Sequence, residues 1–543
     1  MSNDSDIAQK RLAEFNRYLA VNQRYWSQVA SATARQSQAI LVDLMVGHAG
    51  YLIGNCLIAK YLQEHYGYRV IGVVRSKASL TEVAVANSFC FDGFLYYDTP
   101  LPVDLKLDAN QIFGGQSIEQ QRKTLLNYRF GGILIGDLIY DSYMRSTTNG
   151  TIEQIDNVVL NHLLQAVRDV ILFQNIIKQN QAVMSVQGHT IYSNFGTLAR
   201  TLLKSGGTVF GRKFAAGPCT IRKYTSLEQI RNHEFKFSPE EFAYIYDNYH
   251  DLAIREARNY LDQRMSMPLR NKKWDAVEAY GDHKKIYRRE ELDQATGFDP
   301  GKPVVGVMSH ILADAPHSFD WMIYDDYYIW LQETLEIIKD IPQVNWLIKP
   351  HPDNKHYKTD HSAENLSRAY IEKYSHIALS PTDMNTASLF DIASAVVTVT
   401  GSAALEFPSK GIPAICAGKS LFTDFGFTLE PKSVDEYRTM LQNIQNLPRL
   451  DAAAIDRAHV FTYIYQVLSR VDSVYIPEMP DVFWAHREEA EIWHDAAEAV
   501  LNNRHQDDPL YHNFKIQLEN DYDHMLNFDQ LQNHDREQRL SHA

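Results

Sequence analysis

Three stretches of the chain carry residue types that could do chemistry on a phosphorylated ligand. Thr400-Gly401-Ser402 follows the apolar run Val396-Val397-Thr398-Val399 and precedes Ala403-Ala404-Leu405-Glu406. Two hydroxyls, a residue without Cβ and the backbone N–H groups of an expected helix start near Ser402 would meet at one strand end, which is what a phosphate requires. Alone, the same pattern also describes a tight turn with a serine cap. Upstream, Lys349-Pro350-His351-Pro352 closes another apolar run, Trp346-Leu347-Ile348, and places a cation and an imidazole beyond a strand whose loop two prolines stiffen. The third stretch, Ile133 to Arg145, reads as a buried strand ending in Asp137, Asp141, two tyrosines and Arg145. Two carboxylates sharing one face of a turn suit proton abstraction or nucleophilic attack at a sugar carbon, while a cap and an Asp–Arg pair explain them equally well.

Further polar residues follow other strand ends. Gly47, His48 and Gly50 come after the run Ala39 to Met45, His189 comes after Ala182 to Val186, and Ser309 and His310 come after Val304 to Met308. In open α/β sheets ligands bind beyond the carboxyl ends of strands, so these residues belong to the same set of candidates. The spacing around Gly47 is not GxGxxG, and Arg75 rather than an acidic residue closes the second strand, which argues against a nicotinamide dinucleotide site. The strings Asp4-Ser5-Asp6 and Asp521-Tyr522-Asp523 lie in polar terminal segments and are not read as metal signatures.

The elements that must position these residues alternate between strand and helix twice along the chain, predicting an α/β protein with two Rossmann-like doubly wound domains facing a cleft. The boundaries read as an N-terminal amphipathic helix at 1–37, an N-terminal Rossmann-like domain at 38–221, a helical connector at 222–302, a C-terminal Rossmann-like domain at 303–445, helices at 446–501 and a polar tail at 502–543. The tail is expected to be mobile or loosely docked.

At 543 residues two main domains are the natural expectation, and 45% hydrophobic with 22% charged residues describes an ordinary globular protein. A formal net charge of -14 argues against broad nucleic-acid binding. Cys56, Cys90, Cys219 and Cys416 form no CxxC pair, so no disulfide framework or structural zinc is expected. The polar start of the chain and the lack of a long apolar window point to the reducing cytoplasm.

Lys349-Pro350-His351-Pro352, followed by Thr400-Gly401-Ser402-Ala403-Ala404-Leu405-Glu406 and Gly411-Ile412-Pro413, resembles the donor half of GT-B glycosyltransferases of bacterial capsule and surface polysaccharide biosynthesis. The likeness is nearest to the group that includes transferases using CMP-activated Kdo, and it covers 303 to 420 well. It implies that His351 contacts the donor phosphate, that Thr400, Gly401 and Ser402 form its nest, and that Lys349, Pro352, Glu406, Ser309 and His310 flank it. The catalytic carboxylate would come from the N-terminal domain, making Asp137 and Asp141, with His189, the catalytic candidates and Gly47, His48, Gly50 and Arg145 the acceptor side. No cofactor and no metal are implied beyond the nucleotide sugar itself, CMP-linked in that group. The implied partners are this donor and a glycan or glycolipid acceptor, with room for peripheral attachment to the inner face of the cytoplasmic membrane. A polyol-phosphate transferase, a nucleotide-sugar 2-epimerase and a non-catalytic assembly subunit are the competing readings. The donor sugar, the linkage, a retaining or inverting outcome and the oligomeric state stay open.

Overall fold

The computed structural model describes residues 2–32, 36–100, 107–213, 218–231, 235–265, 278–318, 321–357, 359–477 and 488–541. Part of the expected helical connector, 266–277, lies outside them.

The N-terminal domain is built on a six-stranded sheet in the order β3-β2-β1-β6-β7-β8. Its strands are β1 (Ala39–Asp43), β2 (Arg69–Val74), β3 (Gly93–Tyr96), β6 (Ala182–Gln187), β7 (Thr208–Lys213) and β8 (Thr220–Tyr224). All neighbours are parallel except β7 and β8. Every residue of β1 is buried, as expected of a central parallel strand covered on both faces, and this is why it reads as an unbroken apolar run. The order reverses between β1 and β6, where a crevice opens beyond the strand ends. A separate two-residue hairpin joins β4 (Arg129–Phe130) to β5 (Ile133–Leu134).

The C-terminal domain repeats the scheme with five parallel strands in the order β11-β10-β9-β12-β13. These are β9 (Val304–Met308), β10 (Asn345–Lys349), β11 (Ile377–Leu379), β12 (Ala393–Thr398) and β13 (Ala414–Cys416). Its switch point lies between β9 and β12, so Ser309-His310 and Val399 to Ser402 emerge side by side. Lys349 is in register with Met308 at the neighbouring strand end.

Three expectations are corrected, and one is borne out at reduced strength. Ile133 to Arg145 is not a sheet strand: after two hairpin residues the chain turns into the helix Gly136–Thr147. Leu138, Ile139 and Tyr143 recur at helical spacing and are buried, which decides for the helix, and Asp137 and Asp141 lie one turn apart on it. Residues 222–302 do not begin as connector, because Thr220–Tyr224 is the sixth strand of the N-terminal sheet. The short helix expected after Ser402 is present at Ala403–Glu406, before a 3-10 turn at Pro408–Lys410, and is too short for an appreciable macrodipole.

The segment after 502 is not a loose tail. It forms the helices Pro509–Glu519 and Phe528–Ser541, buries Leu510, Phe514 and Met525 in the N-terminal core, and pairs with β8 through Lys223 N–H to Asp523 C=O (2.7 Å) and Met525 N–H to Ile221 C=O (2.9 Å). Asp521 and Asp523 of the second DxD string serve Lys223 and Gln229.

The chain passes between the domains twice. It leaves after β8 through the helices Pro239–Asn248 and His250–Met265, which share an apolar core with the C-terminal domain. It returns through the helix Ala452–Tyr463, whose end widens into a π-turn at Ile464–Leu468. There Val471 exchanges backbone hydrogen bonds with Cys219 (2.8 and 3.0 Å), so the two crossings are tied together. The N-terminal helix Ser2–Ala32 packs Phe15 and Tyr18 against Trp493 of the returning chain and Trp26 against Phe89 and His505.

Candidate active site

His310 organises the donor-side switch point. Its ring is buried and stacks on Tyr327 (4.1 Å between centroids, 14°), and its Nε2 accepts the N–H groups of Val399 and Thr400 (both 3.3 Å). Burial, and behind it the neighbouring His351, hold the imidazole down at about 3, so it stays neutral and carries its proton on Nδ1. The Tyr327 hydroxyl bonds the Thr400 hydroxyl (2.7 Å) and fixes the other side of the loop. A Cβ on Gly401 would fall 2.9 Å from Thr398 Oγ1 and 3.4 Å from the His310 ring, so the loop closes over the imidazole only with glycine there. With Val399 and Thr400 satisfied inward, the N–H groups of Gly401 and Ser402 make no hydrogen bond among the described residues, and Ser402 is exposed. These groups could hold an anion without help from a long helix.

Lys349 and His351 stand beside this loop. Lys349 is buried, and among the described residues no carboxylate pairs with its ammonium. Burial, then the nearby Lys284, lowers it to about 8. His351 is half-exposed, and its Nδ1 accepts from the Asp353 N–H (3.2 Å) to cap the short turn that begins at Pro352. Ser309 donates its N–H to the Lys349 carbonyl (3.0 Å), while its buried hydroxyl lacks a hydrogen-bond partner.

The two aspartates differ. Asp137 receives both Arg200 Nη atoms at 2.6 Å, and although burial opposes ionisation, this guanidinium holds the carboxyl below its ordinary range. With both oxygens engaged, Asp137 is an internal ion-pair partner and leaves the catalytic set. Asp141 accepts at Oδ1 from His317 Nδ1 (2.6 Å) and the His317 N–H (3.3 Å) across the domain boundary. Its Oδ2 makes no hydrogen bond among the described residues. Burial raises the Asp141 carboxyl, and the His317 charge limits the rise. Asp141 also lies within electrostatic reach of Tyr327, the tyrosine that holds Thr400.

The structure places the remaining candidates apart from this centre. Glu406 is taken by Arg264 Nε (3.1 Å) and the Tyr280 hydroxyl (2.6 Å), so it clamps the connector to the domain and does not flank the donor site as expected. Arg145 bonds the Tyr357 hydroxyl (2.5 Å) and faces Asp314 (3.6 Å), a bridge between the domains. His189 does not share a sheet edge with Asp137, which lies on the helix; it is exposed beside Tyr51 and Phe195 at the β1/β6 crevice. Gly47 and His48 rim the same crevice, and Gly50 is buried in the helix Ala49–Tyr66, its carbonyl held by Arg212 Nη2 (3.2 Å).

Sequence reading did not single out His317 or Tyr327, and it did not give Tyr192 the role its hydroxyl plays in reaching Asp314 across the cleft (2.8 Å). His317 follows Pro316 beyond a strand end, the same order as Pro350-His351, which is the signal that could have drawn attention to it.

Two Rossmann-like domains facing a cleft give the chain a GT-B-like architecture. Residues 331–465 match the family model described as capsule polysaccharide biosynthesis protein, a span that contains Lys349, His351 and the Thr400 loop. No curated protein matches the chain in sequence. Among solved structures it aligns with the beta Kdo 2,4 transferase KpsC of Thermosulfurimonas dismutans (13% identity, 52% of this chain and 79% of that one, TM-score 0.29). It also aligns with the beta Kdo 2,7 transferase of the same name and organism (13%, 61% and 88%, 0.30). A third alignment is with UDP-GlcNAc 2-epimerase from Neisseria meningitidis (11%, 86% and 100%, 0.23).

Proposed function

We propose that the chain is a glycosyltransferase of capsule or related surface polysaccharide synthesis, moving a sugar from a nucleotide donor to a glycan or glycolipid acceptor. The observation that carries this reading is the pairing, on one strand-end platform, of open Gly401 and Ser402 N–H groups with the buried, carboxylate-free Lys349. Together with His351 they would stabilise the negative charge that grows on the leaving nucleotide phosphate as the glycosidic bond breaks, without a metal ion. Asp141 faces this platform from the N-terminal domain and would act at the anomeric centre or on the acceptor hydroxyl. No helix among the described residues is long and apolar enough to cross a membrane.

The test is a panel of nucleotide sugars, CMP-Kdo included, read by thermal shift and by product analysis with surface-glycan acceptors. One donor is expected to raise the melting temperature, and His351→Ala to remove that shift and lower kcat/KM by about 10² to 10³. Absence of a shift with every donor overturns the reading. Conversion of the donor sugar without any acceptor would assign an epimerase instead.

A further inference from the structure

Asp141 is buried on the helix Gly136–Thr147 of the N-terminal domain, yet the hydrogen bonds to its carboxylate come from the other domain. His317 sits in the 3-10 turn Pro316–Ser318 beyond β9, the strand whose end carries His310. Its Nδ1 lies 2.6 Å from Asp141 Oδ1 and its Nε2 lies 2.6 Å from the Asp325 carbonyl. Both ring nitrogens face oxygen acceptors, so each carries a proton and the ring is cationic. The ring also rests edge-on against Tyr140 at 4.7 Å. Neighbouring contacts hold this arrangement in the closed cleft: Tyr140 donates to Asp326 (2.7 Å) and Arg122 Nε pairs with Asp325 (2.9 Å).

We propose that His317 is a positioning residue for Asp141, supplied by the donor domain, which fixes the carboxylate at Oδ1 and keeps it ionised so that Oδ2 is presented to the sugar only when the two domains are closed. The inference rests on the proposed glycosyl transfer and names the group that makes its carboxylate competent. The titratable groups that face the pair are Asp137, Tyr140, Tyr192, Asp325, Asp326 and Tyr327. Asp137 is neutralised by Arg200 and Asp325 by Arg122, and Asp326 receives Tyr140, so His317 is the cation in direct contact with Asp141. Although burial works against it, the Asp141 carboxylate raises the imidazole to about 9. The charge therefore persists through neutral pH.

The experiment compares full-length wild type with His317→Asn, which can still donate one hydrogen bond but carries no charge, and with His317→Ala. If His317 sets the ionisation of Asp141, the acid limb of kcat moves up by about one pH unit in both variants, so the loss deepens as pH falls through that limb and approaches about tenfold below it. The donor KM stays within about twofold, and the asparagine variant recovers part of the turnover that alanine loses. A loss equal at every pH, or one carried by donor KM, would overturn the proposal and leave His317 a structural residue. A second measurement needs no substrate. The folded value of the imidazole lies above its ordinary 6.5, so its contribution to stability is complete below pH 6.5 and fades as pH rises through about 9. The melting-temperature gap between wild type and His317→Asn should shrink over that interval, and a constant gap would overturn the cationic pair. If the gap shrinks but wild type turns over no donor, glycosyl transfer and the positioning role fall together while the ion pair stands.

Discussion

The two switch points occupy the same place in the two sheets and differ in sign. Beyond β9 and β12 the ring of His310 fills the space under the loop, Lys349 lies buried with no carboxylate partner among the described residues, and Lys284 is close by. Beyond β1 and β6 the buried group is Asp43, which accepts from the Tyr51 hydroxyl and the Met45 N–H, and the Glu82 carboxylate lies against Gly47. Two cations border that strand end: Arg75 Nε donates to the Met45 carbonyl (2.6 Å), and Arg212 is turned away, since a Cβ on Gly54 would collide with its guanidinium, which instead bonds Asn55 Oδ1 (2.9 Å) and the Gly50 and Tyr51 carbonyls. The first strand end is open to an anion, whereas at the second both Asp43 oxygens are held and Glu82 is the carboxylate at the rim. A shared topology thus carries buried charge of opposite sign at its two switch points, and the proposed function puts the donor at the cationic one.

Lys349→Met should break this contrast most. Nucleotide-sugar binding is expected to weaken by about 100-fold, on the order of 3 kcal/mol, because a charge-assisted contact to phosphate is lost from a dry site. The unliganded protein should melt higher, since an ammonium held at about 8 where its ordinary value is near 10.5 costs on the order of 3 kcal/mol of stability below pH 8. The sign follows from a folded value below the unfolded one: wild type gains stability as pH rises from 8 towards 10.5, and the variant should not. Denaturant titrations across that range, with binding isotherms at pH 7, check both halves.

Replacing the histidine at each switch point sharpens the comparison at the next level. His310→Ala strands the Val399 and Thr400 N–H groups and should cost about 1 to 3 kcal/mol together with a higher donor KM. His48→Ala removes a ring whose buried Nδ1 has no hydrogen bond and should change stability by about 0.5 kcal/mol or less. The smallest effect is expected from Glu82→Gln, which keeps the shape beside Gly47 and removes one charge. Acceptor KM should rise by about threefold, near 0.6 kcal/mol, with donor KM unchanged. Initial-rate kinetics with each substrate varied in turn separates the two.

The strand ends of this architecture were legible because a parallel strand covered on both faces is a run of consecutive apolar residues, as in Ala39 to Met45 and Val304 to Met308. Lys349, His351 and the Thr400 loop were found because each follows such a run. The helix carrying Asp137 and Asp141 was misread because Ile133 to Ile139 is apolar enough for either state, and only packing on both sides of Tyr140 decides it. The strand Thr220–Tyr224 escaped notice because Arg222 and Lys223 make it look exposed, whereas both are buried, Lys223 by carboxylates near the end of the chain. The distinction between Asp137 and Asp141 was illegible for the same reason. Arg200 and His317 reach them from 63 and 176 residues away, and no local pattern encodes partners at that range.

The double crossing between the domains has a mechanical consequence. The two straps are fastened to each other where Cys219 meets Val471, and beside them the C-terminal segment, bonded to Leu468 through Asn527, sets Met525 in the N-terminal core and Leu531 in the core of the other domain, so the joints line up like the pins of a door. Swinging about that line would part the far edge of the cleft, where Arg145, Tyr192 and Gly150 reach across to Tyr357, Asp314 and His361, while the sheets keep their mutual register near the pins. Substrate exchange and the rupture of the Asp141–His317 contact would then be one movement seen at two distances from the same axle.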